Sequence, residues 1–275
     1  MTRMIALVAR REVQDAVRNR WFQAYTIGFA ALSAGVGLLV LFSASYGDPA
    51  GFGRAAAGMV NLVLLLAPLM GLTLGAQSLA GERERGTLAY LLAQPVTVAE
   101  VFAGKVIGLG LALGGAILAG FAASTLIIGL GGEGRGAGAF AVLAGLTVLL
   151  AWISLGLGCL ISSRARRTST ALGVAVVVWL ALAFLGDLGL IGTTIALELP
   201  PEVLLGAALI NPLESYRIAA ISTLEGTLDL LGPAGLAARH LLGPMVFPLL
   251  LLILLVWLIG TLFIAGIRTI HEEMR

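Results

Sequence analysis

The chain has 275 residues, of which 59% are hydrophobic and 12% charged, with 37 glycines and a mean hydropathy of +1.02. An ordinary soluble domain carries about 25% charged residues, so this composition excludes a disordered chain, a disulfide scaffold and a typical soluble enzyme. The net charge of +2 and the single cysteine, Cys159, exclude a nucleic-acid binder and an intrachain disulfide, and the long Leu/Ala/Val/Gly runs favour membrane helices over a barrel of alternating strands.

Residues 3–20 read as an amphipathic helix. Ile5, Ala6, Ala9, Val13, Ala16 and Val17 share one side, and Arg3, Arg10, Arg11, Asp15 and Arg18 occupy the rest. Trp21 follows where an indole ring marks a membrane border, so the helix is expected to lie on the cytoplasmic surface. Six apolar runs come next, at 21–42, 55–80, 106–129, 139–161, 171–197 and 246–267. Each has at least 22 residues, enough at about 1.5 Å per residue to cross about 30 Å of hydrocarbon. The first run is too long for the apolar part of a cleaved signal and reads as an anchor. The expected fold class is an all-α membrane protein, one domain over 1–275. It has six transmembrane helices, an N-terminal interfacial helix and an outer helical segment between spans 5 and 6. Six spans put both termini on one side. Basic residues divide 13 to 4 in favour of that side, while the acids outside the spans divide 7 and 7. The positive-inside rule therefore places both termini in the cytoplasm, as in a multi-pass protein of the bacterial inner membrane.

Residues 81–100 form the densest polar segment between spans. Glu82, Arg83, Glu84 and Arg85 are expected to end a helix in water, with a turn at Gly86. Thr87 opens a short helix with Leu88, Leu91 and Leu92 on one side, and Pro95 stops it. Thr97 then caps the next helix in a Thr-x-x-Glu box with Glu100. A leucine stripe between two breaks suits a docking surface better than a solvated loop. The outer segment 198–243 is too long to lack structure. Within it Asn211, Pro212 and Glu214 make a strong helix start, after which Leu213, Tyr216, Ala220 and Leu224 share a face with Arg217 beside it. That face is the expected anchor for a partner outside the membrane, or else packs on the protein's own spans.

No phosphate-binding glycine loop is present, because Gly104-Lys105 is followed by Val106. Any ATP, with its magnesium, is therefore bound by another chain. No HExxH, CxxC or histidine cluster offers a metal site, no catalytic residues are identified, and this chain is expected to bind no cofactor. Met59 and Met70 read as packing, as does Cys159. Asp187 is the one carboxylate inside a predicted span, at a depth that suits snorkelling or pairing with Arg217 or Arg239. Gly71/Gly75, Gly104/Gly108 and Gly110/Gly114 are small-xxx-small pairs that permit close helix contact.

The order of these elements, with Glu-Arg-Glu-Arg-Gly-Thr-Leu and Leu-Leu-Ala-Gln-Pro-Val inside 78–105, resembles the permease subunits of type-2 ABC exporters over nearly the whole chain. The resemblance implies a coupling helix that meets a cytoplasmic ABC ATPase subunit. It implies that Glu82, Arg83, Glu84, Arg85, Gly86 and Thr87, with Leu88 and Leu91, transmit ATP-driven motion, and that the chain pairs with a second copy of itself. A basic residue commonly follows the Pro-Val in that family, whereas Thr97-Val98-Ala99 stands here. A narrower resemblance lies in Asn211-Pro212-Leu213-Glu214-Ser215-Tyr216-Arg217 and in the opening from Ala9 to Trp21. Both look like the permeases of transporters that serve nitrous-oxide-reductase maturation. That likeness implies a periplasmic β-helical partner and an indirect role in copper-site assembly. A generic exporter permease is the alternative. An ATP-independent intramembrane enzyme or structural anchor is disfavoured, because the spans lack paired polar residues.

Overall fold

The computed structural model describes residues 2–45, 51–87, 96–130, 137–197, 201–223 and 243–273. Among them the secondary structure is entirely helical. The order is α1 (Thr2–Arg18), α2 (Arg20–Ser45), α3 (Gly51–Glu84), α4 (Val98–Leu130), α5 (Ala137–Arg164), α6 (Thr168–Leu197), α7 (Pro201–Ile210), α8 (Pro212–Ser222) and α9 (Val246–Glu273), with a 3-10 turn at Gly243–Met245 before the last. Within the described residues five helices are long and apolar enough to cross a membrane, lying in α2, α3, α4, α5 and α9. The sixth expected span falls on α6, whose described apolar stretch is the shorter Thr168–Phe184. The side chain of Asp187 lies outside the described residues. Leu65, Leu118, Leu126, Val177, Ile259 and Phe263 stand exposed along the helices, as positions facing hydrocarbon do.

Two helices are longer than hydropathy alone indicates. α3 continues through Glu84, and α4 begins at Val98 rather than near 106. Hydropathy marks the apolar part of a helix; neighbouring elements bury the polar continuation, including Glu82 and Lys105. The expected capping box is formed. Thr97 N donates to Glu100 Oε2 at 3.0 Å and Glu100 N donates to Thr97 Oγ1 at 3.2 Å, satisfying two amides at the start of α4.

The core runs along α3, which packs chiefly on α5 and then on α6 and α2. Glycine makes the α3–α5 contact possible. A Cβ on Gly71 would stand 2.5 Å from Ala151 O, and Cβ atoms on Gly75 and Gly158 would strike the facing backbone at Leu155 O and Leu72 O. Ser162 keys the two helices together near their ends: its hydroxyl accepts from Leu79 N (3.0 Å) and Ala80 N (2.8 Å) and donates to Ala76 O at 2.8 Å.

α1 does more than rest on a lipid surface. It packs against α4, where a Cβ on Gly104 would lie 2.6 Å from Val8 Cβ and one on Gly108 would meet Ala9 O. The buried face carries Ala9, Glu12 and Ala16, while Val17 is exposed. The face that meets protein is thus rotated from the expected apolar stripe, and it includes a carboxylate.

Candidate functional site

The C-terminal ends of α3 and α5, the N-terminal ends of α4 and α6, and α1 gather at one end of the bundle. The described parts of the segment 85–97, residues 85–87 and 96–97, both stand here. Leu88 and Leu91 of the expected coupling surface lie outside the described residues.

The charges before this loop do not simply end a helix in water; most of them serve as ties to neighbouring helices. Glu82 is buried and its Oε1 lies 2.9 Å from Lys105 Nζ on α4. Arg83 Nη1 donates to three carbonyls at the end of α5, those of Ser162 (3.4 Å), Ser163 (3.4 Å) and Ala165 (2.7 Å). A guanidinium there satisfies orphan carbonyls and complements the negative end of the helix dipole. Glu84 Oε2 accepts from Thr168 N at 2.9 Å, placing a carboxylate at the positive start of α6. Arg85 folds back, its Nε donating to Gly81 O at 3.0 Å. Gly86 then turns with φ +72, a left-handed conformation that glycine adopts without strain, and Thr87 Oγ1 donates to Glu82 O at 3.3 Å.

Lys105 is the centre of this end. Its Nζ lies 2.7 Å from Glu12 Oε1 and 2.9 Å from Glu82 Oε1, with the three side chains 3%, 11% and 7% exposed. One cation thus joins α1, α3 and α4. Removing the cation from such a buried arrangement strands its carboxylates, at a typical cost of about 3–5 kcal/mol. Beside it lies a cavity of about 460 Å³, lined in part by Arg11, Asp15, Arg18, Gln77, Ser78 and Arg85. Sequence reasoning weighed Lys105 as a topogenic charge and a rejected phosphate-loop lysine, and gave neither it nor Glu12 a place in the site. The available signal was that Lys105 is the chain's one lysine and stands next to an apolar run, where a charge is a functional hypothesis by default.

At the opposite end, α8 starts as expected. Asn211 Oδ1 accepts from Leu213 N at 3.0 Å, Pro212 takes the first turn, and Asn211 Nδ2 donates to Leu182 O at 2.7 Å, fixing α8 to α6. The face expected to anchor an outside partner is, however, internal. Leu213, Tyr216 and Ala220 are buried, because α8 packs against α9, α5 and α3. Arg217 is partly exposed and pairs with Glu214 at 3.6 Å. These two residues border a cavity of about 190 Å³ with Asn61, Trp179 and Phe184. Leu224 and Arg239 lie outside the described residues.

Among the described residues no group of three or more His, Cys, Asp or Glu side chains is placed to hold a metal ion. Cys159 is buried, 3.7 Å from Ser78 Oγ. The arrangement at the α1 end fixes the roots of the 85–97 segment to several helices at once.

The sequence matches the ABC-2 family transporter proteins over residues 6–268. It is 32% identical over 264 residues to the "Probable ABC transporter permease protein NosY" of Stutzerimonas stutzeri, covering 94% of this chain and 95% of that protein. It is 35% identical over 224 residues to the protein of the same name from Pseudomonas aeruginosa, covering 78% and 80%. The chain therefore belongs to the ABC-2 family of transporter proteins, as a multi-pass membrane permease subunit of an ABC transporter, a kind of subunit that is not itself an ATPase and works with an ATPase partner.

Proposed function

We propose that this permease sits in the bacterial inner membrane with six crossings and both termini in the cytoplasm. It works as a pair with a second copy, and carries motion driven by ATP hydrolysis on a separate ATPase subunit, which binds the ATP and magnesium, to the periplasmic side. The observation that carries this reading is the construction of the loop base. Glu82, Arg83 and Glu84 reach α4, α5 and α6 in succession, so a displacement of residues 85–97 is delivered to several helices at once. The surface that meets the ATPase is then the loop beyond Arg85, with Gly86, Thr87, Leu88 and Leu91.

The output we propose is maturation of the copper site of nitrous oxide reductase, with a β-helical periplasmic protein meeting the outer end of the bundle. Support comes from similarity to NosY permeases over most of the chain and from the 211–217 motif. The role is indirect, without passage of a metal ion along ligands of this chain. Deleting the gene should leave the reductase present but short of copper, read as copper per protein and loss of its visible absorption, with recovery on complementation. Full copper loading in the deletion strain overturns the copper role. Failure of the purified permease to retain any ABC ATPase overturns the coupling reading.

A further inference from the structure

The two helices that flank the loop, α3 and α4, touch each other little, since α3 packs mainly on α5 while α4 packs mainly on α1 and α2. Apolar packing therefore does not hold the two roots of the loop together. The link between them is ionic: Glu82 on one root and Lys105 on the other, 2.9 Å apart and buried. The same ammonium reaches Glu12 on α1 at 2.7 Å, and α1 is seated on α4 by Gly104 and Gly108. A buried ammonium between two carboxylates fixes direction as well as distance, because two of its three donors are spent on set acceptors.

Resting on the coupling reading above, we propose that Lys105 is a positioning residue for coupling: by binding Glu82 and Glu12 together it makes both roots of the 85–97 loop and the N-terminal helix move as one body. Loop motion imposed by the ATPase then rotates α1 with α3 and α4. Without the clamp, the loop yields at its base and ATP is hydrolysed without output.

The test uses the full permease with its ATPase subunit, measuring thermal stability, ATPase retention, Mg-ATP hydrolysis and the downstream output (copper content of the reductase in complemented cells). Lys105→Arg keeps the charge and should retain most of the output. Lys105→Met should lower output per ATP hydrolysed about tenfold, yet it strands two carboxylates and can fail by misfolding alone. Glu12→Gln avoids this, because it leaves a balanced Lys105–Glu82 pair. It is expected to keep stability, ATPase retention and hydrolysis while output falls several-fold. The neutral set Glu12→Gln, Glu82→Gln and Lys105→Met removes all three charges of the clamp and should likewise hydrolyse ATP with little output. Normal output from Glu12→Gln, or from a stable neutral set, overturns the proposal and reduces the triad to a structural ion pair. A wild-type permease that retains no ATPase overturns the coupling reading and this inference with it.

Discussion

Tyr216 is the largest fully buried side chain among the described residues. Its hydroxyl lies 3.0 Å from Thr147 Oγ1, and Thr147 donates its own proton to Leu143 O at 2.7 Å. The tyrosine is therefore the donor, and Thr147 stays satisfied if that donor is lost. Tyr216→Phe should cost about 1 kcal/mol, the net worth of one hydrogen bond. Tyr216→Ala empties a packed site and should cost about 3–5 kcal/mol. Heating the detergent-solubilised protein and following its elution on size exclusion ranks the two; an unchanged melting temperature for Tyr216→Ala would mean that α8 is not seated between the spans. At this scale the sequence located the start of α8 from Asn211, Pro212 and Glu214 but not where its face points. Leu213, Tyr216 and Ala220 make the same stripe whether they meet a partner or the protein's own helices, and only the surrounding bundle decides. Lys105 was hidden for a related reason. Its value depends on Glu12 and Glu82, which are distant in sequence and meet it only in the fold.

Among the elements, the α3–α5 crossing depends on backbones that touch. Gly158 faces Leu72 O and Ala76 N, and a methyl group there has only backbone to displace. Gly158→Ala should cost about 1–3 kcal/mol through overpacking. Gly115 on α4 has nothing within 4 Å of an added Cβ, so Gly115→Ala should be neutral or stabilise by about 0.4–1 kcal/mol through a stiffer unfolded chain. Thermal midpoints of the two variants in one detergent check the contrast, and equal midpoints would contradict the close crossing. Three small-xxx-small pairs were visible in the sequence, and the fold treats them differently. Gly71/Gly75 and Gly104/Gly108 are close contacts. A Cβ added at Gly110 would stand 2.6 Å from the ring of Trp152, whereas one at Gly114 would meet only Val148 Cγ1 at 3.6 Å. With 37 glycines such spacings recur by chance, so spacing alone could not separate a crossing from a lipid-facing gap. Caps were more legible, as at Thr97 and Glu100, because both partners lie within one turn.

For the whole molecule, the end that carries α1 also gathers Arg85, Arg164, Arg166, Arg167 and Arg268, part of the 13-to-4 division of basic residues. The proposal that this end is cytoplasmic rests on two separate arguments. Basic flanks are retained there during insertion, and a loop moved by an ATPase must stand where ATP is found. Thiol labelling tests both together, and the fold makes the experiment clean. The native Cys159 is 1% exposed, so the unmodified chain should give no signal with an impermeant maleimide. Ser169, exposed at the start of α6, reports the α1 end, and Gly138, exposed at the start of α5, reports the other. Both suit substitution by cysteine because neither makes a close contact that the fold needs: Gly138 has nothing within 4 Å of an added Cβ, and Ser169→Cys changes one atom. In intact cells Gly138→Cys should label and Ser169→Cys should not, with both labelling after lysis. Labelling of Ser169→Cys alone in intact cells would invert the topology, and it would remove the loop rooted at Glu82 and Lys105 from the reach of any cytoplasmic ATPase.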